Sequence, residues 1–261
     1  TRKISQAASV QRMGRAGRLR PGRCYRLWSE AQQQQLASQT SPEILNADLA
    51  PLALQLLSWG VQAPMELRWV DMPPAGAWQQ AIDLLVILGA VAKDNNKPEG
   101  SRWVLTPHGI RLAALPLHPR LGHLVLAGAE VGELKTAALL ASLLSDRDPM
   151  SQENPDISQR LAILRGDQSC PPRYRGWASR TRDLAQQFSR QVRPRVSPTS
   201  ALSLSPGQLP GYLLACAYPD RIARRRHAGG YQLANGRGAA FAVTHSLGQA
   251  HWLALAEVTG G

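Results

Sequence analysis

The sequence predicts a multi-domain, mainly α-helical protein that carries small β modules. Three observations lead there. Apolar residues recur at helical spacing in several separate stretches, among them Leu49, Leu52, Ala53, Leu56 and Leu57, then Leu121, Leu124 and Val125, then Ile157, Leu161 and Leu164. Alternating, β-prone residues occur only in short runs, such as Arg23–Trp28, Trp103–Leu105 and the segments flanking Asn235-Gly236. Proline and glycine breaks at Pro73-Pro74, Pro171-Pro172 and Ser197-Pro198 to Pro206-Gly207 divide the chain into units.

Composition bounds the function. The chain has 261 residues, 44% of them hydrophobic, which is ordinary for a globular protein. Its net charge of +12 points to a polyanionic partner such as nucleic acid. The base count is skewed: lysine occurs only at 3, 93, 97 and 135, and arginine supplies the rest. A GC-rich coding bias produces the same skew, so charge alone is modest support. Cys24, Cys170 and Cys216 are scattered, which fits buried thiols in a reducing cytosol better than disulfides or a zinc site. The longest apolar run, Leu84–Ala92, is too short to span a bilayer, and no signal peptide is visible, so a cytoplasmic location is expected. Thr1 is no natural start; the chain reads as a fragment truncated at both ends.

In residues 1–40 the informative stretch is Gln11-Arg12-Met13-Gly14-Arg15-Ala16-Gly17-Arg18. The next acidic residue downstream is Glu30, so these arginines lack a local partner. A guanidinium is a planar fork of donors suited to phosphate oxygens. Arg15 and Arg18 share a face if the stretch is helical, and Gly14 and Gly17 permit close approach to the backbone. A solvated basic loop is the plain alternative. Leu19-Arg20-Pro21-Gly22 is a turn signal, Arg23–Trp28 alternates as a half-buried strand, and Ser29 to Leu36 reads as a short helix and linker.

Residues 41–116 start at Ser41-Pro42-Glu43. Helices are expected at about 49–57, ending at Trp59-Gly60, and at 75–88, ending at Gly89. Asp94 to Gly100 is a polar turn, Trp103–Leu105 a strand, and Thr106-Pro107 opens a helix toward Leu115. Two helices, a hairpin and a third helix suggest a winged helix. Residues 117–193 are helical, with Gly128, Ala129, Ala137, Ala138 and Ala141 allowing close helix contacts. His118 and His123 are five apart, unlike ligands on one helical face, and read as structural or solvent-facing. Arg173, Arg175, Arg180, Arg182, Arg190, Arg193 and Arg195 surround a helix whose apolar side is Trp177, Leu184 and Phe188. They make either a solvated face or a basic rim. Residues 194–207 are a linker. In 208–261 a short helix, Leu209–Ala217, precedes two β-prone runs joined by Asn235-Gly236, a hairpin signal because both residues tolerate positive φ.

The order Gln-x-x-Gly-Arg-x-Gly-Arg resembles motif VI of superfamily 2 helicases, in their DEAH/RHA branch. Leu105-Thr106-Pro107-His108-Gly109, Leu115-Pro116-Leu117-His118-Pro119-Arg120, the Tyr218–Arg226 stretch and Tyr231–Ala239 extend the resemblance over most of the chain; it is weakest at about 145–205. The resemblance implies the end of a second RecA-like domain at 1–40, a winged helix at 41–116 acting as a structural coupler, a helical ratchet bundle at 117–193, and a truncated OB-like barrel at 208–261. It implies that Arg15 and Arg18 contact the γ-phosphate of ATP, one as an arginine finger, with Gln11 positioning phosphate or water and Gly14 beside them. ATP and Mg²⁺ would be held mainly by an N-terminal helicase domain outside this chain, since no Gly-Lys dipeptide and no Asp-Glu-x-His occurs here. OB-folds bind single strands with a basic groove and stacking aromatics. Arg224, Arg225, Arg226 and Arg237 are therefore the phosphate candidates. Tyr231 is a stacking candidate, or equally a core strand residue. The partner is single-stranded RNA on the strength of the resemblance; the residues do not separate RNA from DNA. The expected function is the C-terminal part of an ATP-dependent RNA helicase. The alternative is a winged-helix and OB binding module without ATPase activity; a purely scaffolding helical domain leaves Gln11–Arg18 unexplained.

Overall fold

The computed structural model describes residues 4–94, 102–151, 154–192, 204–205, 207–227, 229–241 and 244–258. Arg193, Arg195, most of the expected linker and most of the Asp94–Gly100 turn lie outside these residues. The described part is mainly helical, with two small antiparallel sheets.

α1 (Gln6–Arg15) starts at Ser5, whose hydroxyl accepts from the Ala8 amide at 3.1 Å. It is a polar helix held by hydrogen bonds rather than by an apolar stripe. The Gln6 amide side chain donates to the carbonyls of Gln34 and Leu36, and Ser9 meets the Gln33 side chain. α2 (Glu30–Gln34) opens with a capping box formed by Ser29 and Gln32. Arg23–Trp28, expected as a strand, has no regular structure: no strand of the described residues lies beside it, and an alternating run cannot form a ladder alone.

The next unit follows the expected order closely. α3 (Ala50–Ser58) and α4 (Ala75–Ile87) end at Gly60 (φ +90°) and Gly89 (φ +66°), conformations suited to glycine. β1 (Val91–Asp94) and β2 (Arg102–Leu105) form the antiparallel hairpin. α5 (Pro107–Ala113) is capped by the Thr106 hydroxyl, which accepts from the Gly109 amide at 2.9 Å. Gly109 packs against the Ala90 carbonyl so closely that a Cβ would overlap it. That contact explains a glycine inside a helix, where alanine would otherwise be favoured.

α6 (Pro119–Glu130) and α7 (Leu134–Ser145) cross at Gly128, where a Cβ would collide with that of Ala137. α8 (Ile157–Arg165) and α9 (Arg175–Gln191) complete the bundle with α7. Trp177 and Phe188 of α9 are buried, and Leu184 is partly so. Arg160, only 4% exposed, is held by Asp148 at 2.7 Å, and burial lowers its pKa. α10 (Leu209–Ala217) carries Pro210 in its first turn, where a missing N–H costs nothing, so the proline does not interrupt the helix. One core runs through α3, α4, α6, α7 and α10, including Leu56, Leu85, Leu124, Leu140 and Leu213. It therefore crosses the expected boundary at 116.

The C-terminal sheet comprises β3 (Ile222–Arg225), β4 (Tyr231–Leu233), β5 (Gly238–Ala239) and β6 (Trp252–Ala254), in the order β5-β4-β3-β6, all antiparallel. Beside the two runs flanking Asn235-Gly236 the sheet gains β6, and its four strands form an open sheet rather than a closed barrel. The hairpin at Asn235-Gly236 is present with a different turn. Gly236 alone has positive φ (+85°), and the Leu233 carbonyl accepts from its amide at 2.9 Å. The loop is thus Ala234-Asn235-Gly236, a turn closed by a left-handed glycine.

Candidate nucleotide-contact and nucleic-acid surfaces

Gln11, Gly14, Arg15 and Arg18 are all exposed. Gln11 and Arg15 lie on α1, and Arg12 and Arg15 fill its last turn, where the carbonyl end of the helix favours cations. Arg18 stands beyond the helix, so the shared helical face expected for Arg15 and Arg18 is not formed. Helix α1 ends because Gly14 and Gly17 are poor helix residues and the Ala16 amide turns back to the Met13 carbonyl. Among the described residues no carboxylate pairs with Arg12, Arg15 or Arg18. A Cβ at Gly14 or Gly17 would meet open space, so nothing in the described residues uses the close approach these glycines permit. The donor set of arginines and a glutamine suits phosphate oxygens; among the described residues no cluster of His, Cys, Asp or Glu is arranged to hold a metal ion.

The second constellation is the joint at Leu115–Arg120. His118 caps α6 by accepting from the Arg120 amide at 3.2 Å, and its other ring nitrogen meets Asp48 at 3.1 Å. That hydrogen bond is the main reason the Asp48 carboxyl is pulled down to about 2. Arg120 reaches the other way, to Asp220 at 2.6 Å and the Ala217 carbonyl at 3.0 Å, with its guanidinium over the Tyr218 ring. An open groove of about 610 Å³, lined in part by Asp48, Arg120, Ser145, Phe188 and Tyr218, lies at this joint. His123 makes a different contact. It bonds His108 across α5 and α6 at 2.7 Å, and burial pushes it down to about 4, with His108 also lowered.

Arg224, Arg225, Arg226 and Arg237 are exposed, as a phosphate-contact role requires. The sheet divides them. Strand alternation puts Arg224 on one face and Arg225 on the other with buried Ala223. Arg226 follows with the parity of Arg224, its amide still bonded to the Gly230 carbonyl. Tyr231 cannot stack on a base as suggested: it is 4% exposed, packs edge-on against Phe241, and donates to the carbonyls of Leu247 and Ala250. Its alternation with Gln232 and Leu233 had put it on the buried face. On α9, Arg182 is committed to the Ile163 and Leu164 carbonyls at the end of α8, which removes it from the basic rim. Cys24 is exposed rather than buried. Trp252, which belongs to none of the motifs, is 62% exposed. His251-Trp252-Leu253-Ala254 does not alternate polar with apolar residues, so no local pattern marks the indole as exposed; the pairing of β6 with β3 sets its face. Among the described residues no helix is long and apolar enough to cross a membrane.

No family model matches the chain. Its sequence and fold are nonetheless homologous to the C-terminal regions of DEAH-box ATP-dependent RNA helicases. A match to HrpB extends over nearly the whole chain. The ATP-dependent RNA helicase HrpB of Escherichia coli K12 is 36% identical over 254 residues, 97% of this chain and 28% of that protein. ATP-dependent RNA helicase HrpA of the same organism is 38% identical over 159 residues, covering 61% of this chain and 12% of its own length. The human probable ATP-dependent RNA helicase DHX35 is 32% identical over 63% of this chain and 23% of its own length. A crystal structure of the E. coli DEAH/RHA helicase HrpB superposes with a TM-score of 0.67 at 34% identity, over 96% of this chain and 28% of that one. The chain thus spans little more than a quarter of the length of the HrpB relative.

Proposed function

We infer that this chain is the C-terminal part of an ATP-dependent RNA helicase of the HrpB type. It supplies motif VI to ATP hydrolysis and a basic surface to single-stranded RNA. The observation that carries the reading is that Arg15 and Arg18, at and just beyond the end of α1, are exposed and have no carboxylate partner among the described residues, within a chain homologous to such helicases along nearly all its length. Residues 1–40 are then the end of the second RecA-like domain, 41–116 the winged helix, 117–193 the ratchet bundle, and 208–261 the beginning of an OB-like domain. Arg15 and Arg18 meet the γ-phosphate of ATP held on an N-terminal domain, with Gln11 and Gly14 beside it. ATP with Mg²⁺ supplies the phosphoryl group; the phosphate loop and metal ligands belong to that N-terminal domain. Guanidinium groups held against developing phosphoryl charge, shielded from water, lower the barrier most at the transition state.

The test is made in the full-length helicase carrying this chain. Arg15→Ala and Arg18→Ala each lower RNA-stimulated phosphate release by on the order of 10³-fold or more, with unchanged thermal melts. Arg18→Lys recovers only part, because an ammonium lacks the fork. Arg12→Ala is the control and retains most activity. An Arg12 variant as inactive as the Arg18 variant, or an Arg18→Ala enzyme near the wild-type rate, overturns the assignment.

A further inference from the structure

The outer face of the C-terminal sheet carries a row of side chains that no motif names. Register pairs Gln232 with Gly238 on one side and with Arg224 on the other, and Arg224 in turn with Trp252. Gly238, Gln232, Arg224 and Trp252 thus lie side by side across all four strands, on the face opposite buried Ala223, Tyr231 and Leu233. All four are exposed, and the indole is 62% so. The same face is closed two residues further along β6, where Ala254 packs against the helical core. The open part is therefore a bounded floor, flat at Gly238, with a tryptophan standing at one end beside an exposed arginine. Arg226 continues the line of charge beyond Arg224.

A large exposed aromatic at an otherwise well-packed sheet is costly to leave in water and is informative where single exposed leucines are not. What surrounds it here is cationic and amide-bearing, with no carboxylate paired to Arg224 among the described residues. That chemistry suits a ligand with a π-face and a phosphate on the same unit.

We propose that Trp252, Arg224 and Gln232 form a stacking platform for one base of single-stranded nucleic acid. Trp252 takes the face of the base, Arg224 the adjoining phosphate, and Gln232 a base edge. The proposal rests on the nucleic-acid part of the reading above and replaces Tyr231 as the aromatic. It also separates the arginine cluster. Arg224 and Arg226 share the face of the platform, whereas Arg225 lies on the other, where its guanidinium meets the Gln249 carbonyl.

The test uses this chain with a fluorescein-labelled oligouridylate of about 12 nucleotides, a length within the range that such folds cover, and a duplex RNA of equal length. Trp252→Ala weakens single-strand binding by roughly 5- to 100-fold, leaves the salt slope and duplex binding unchanged, and melts like the parent. Trp252→Phe keeps most of the affinity. Gln232→Glu, which places a carboxylate on the platform with the indole intact, also weakens the single strand. Arg224→Ala flattens the slope of log K against log salt by roughly 0.7, and Arg225→Ala does so less. Wild-type affinity in Trp252→Ala and Gln232→Glu, with weakened binding in a triple Arg224/Arg225/Arg226→Ala variant, sinks the platform and leaves the nucleic-acid reading standing. A wild-type chain that binds neither probe at low salt sinks both.

Discussion

The histidine pair shows how much a single residue type can change meaning with context. Spacing along α6 gave no metal pair for His118 and His123, and it could not reveal their partners. His118 bridges to Asp48, and His123 meets His108 on another helix. One of the 108–123 pair donates and the other accepts, so the contact requires at least one neutral ring. The sign of the pH effect follows. His123 is depressed from 6.5 to about 4, so the unfolded chain binds more protons between those values, and stability falls as pH drops through that window. Asp48 is depressed from 3.8 to about 2; its contribution is present above 3.8 and is lost only as pH falls below that toward 2. The melting temperature is therefore expected to fall in two stages on acidification, the first worth about 1–3 kcal/mol. His123→Gln shrinks the first stage to what buried His108 contributes and keeps the second. A wild-type melting temperature that is flat from pH 6.5 to 4 contradicts this.

Among the elements, those driven by apolar periodicity were legible. α3, α4, α6 and α9 fall where leucine and aromatic spacing put them, because burying a stripe is what holds a helix in a protein. Caps sharpened the ends: Thr106-Pro107 at α5, and glycine after α3 and α4. Elements held by long-range pairing were not legible. Arg23–Trp28 has the strand pattern without a neighbouring strand among the described residues, and the order β5-β4-β3-β6, which brings Trp252 beside Arg224, is set by register that no single segment encodes. For the candidate site the same divide applies: residue types near Arg15 and Arg18 were evident, whereas the helix end between them was not. The close crossing of α6 and α7 gives an element-scale prediction. Gly128→Ala should destabilise the chain by roughly 1–3 kcal/mol despite the better helix propensity of alanine, because its Cβ meets that of Ala137. The double variant Gly128→Ala/Ala137→Gly moves the methyl across the contact and should recover much of the loss in a denaturant titration. Equal stability of Gly128→Ala and the parent would show that the helices separate freely.

For the whole molecule, the joint at His118-Pro119-Arg120 ties together parts far apart in the chain. Asp48 approaches from one side, Asp220 and the Tyr218 ring from the other. Arg120 is mostly covered and its pairing with Asp220 lies partly out of water, so removing one partner costs more than at an exposed pair. Asp220→Asn should lower global stability by about 1–3 kcal/mol and raise amide exchange in β3, β4 and β6 more than in α3 and α4. A uniform rise in exchange across the chain, or none, would show that this contact does not fasten the sheet to the bundle.

That contact spans 100 residues of sequence. On a ribosome adding roughly 5–20 residues per second, Arg120 emerges on the order of 5–20 s before Asp220. Through that interval the bundle must carry the arginine unpaired, its guanidinium hydrated and its groove open. The helices up to α9 thus emerge first, and α10 and the sheet arrive together as the latecomers that close over a charge already waiting for them.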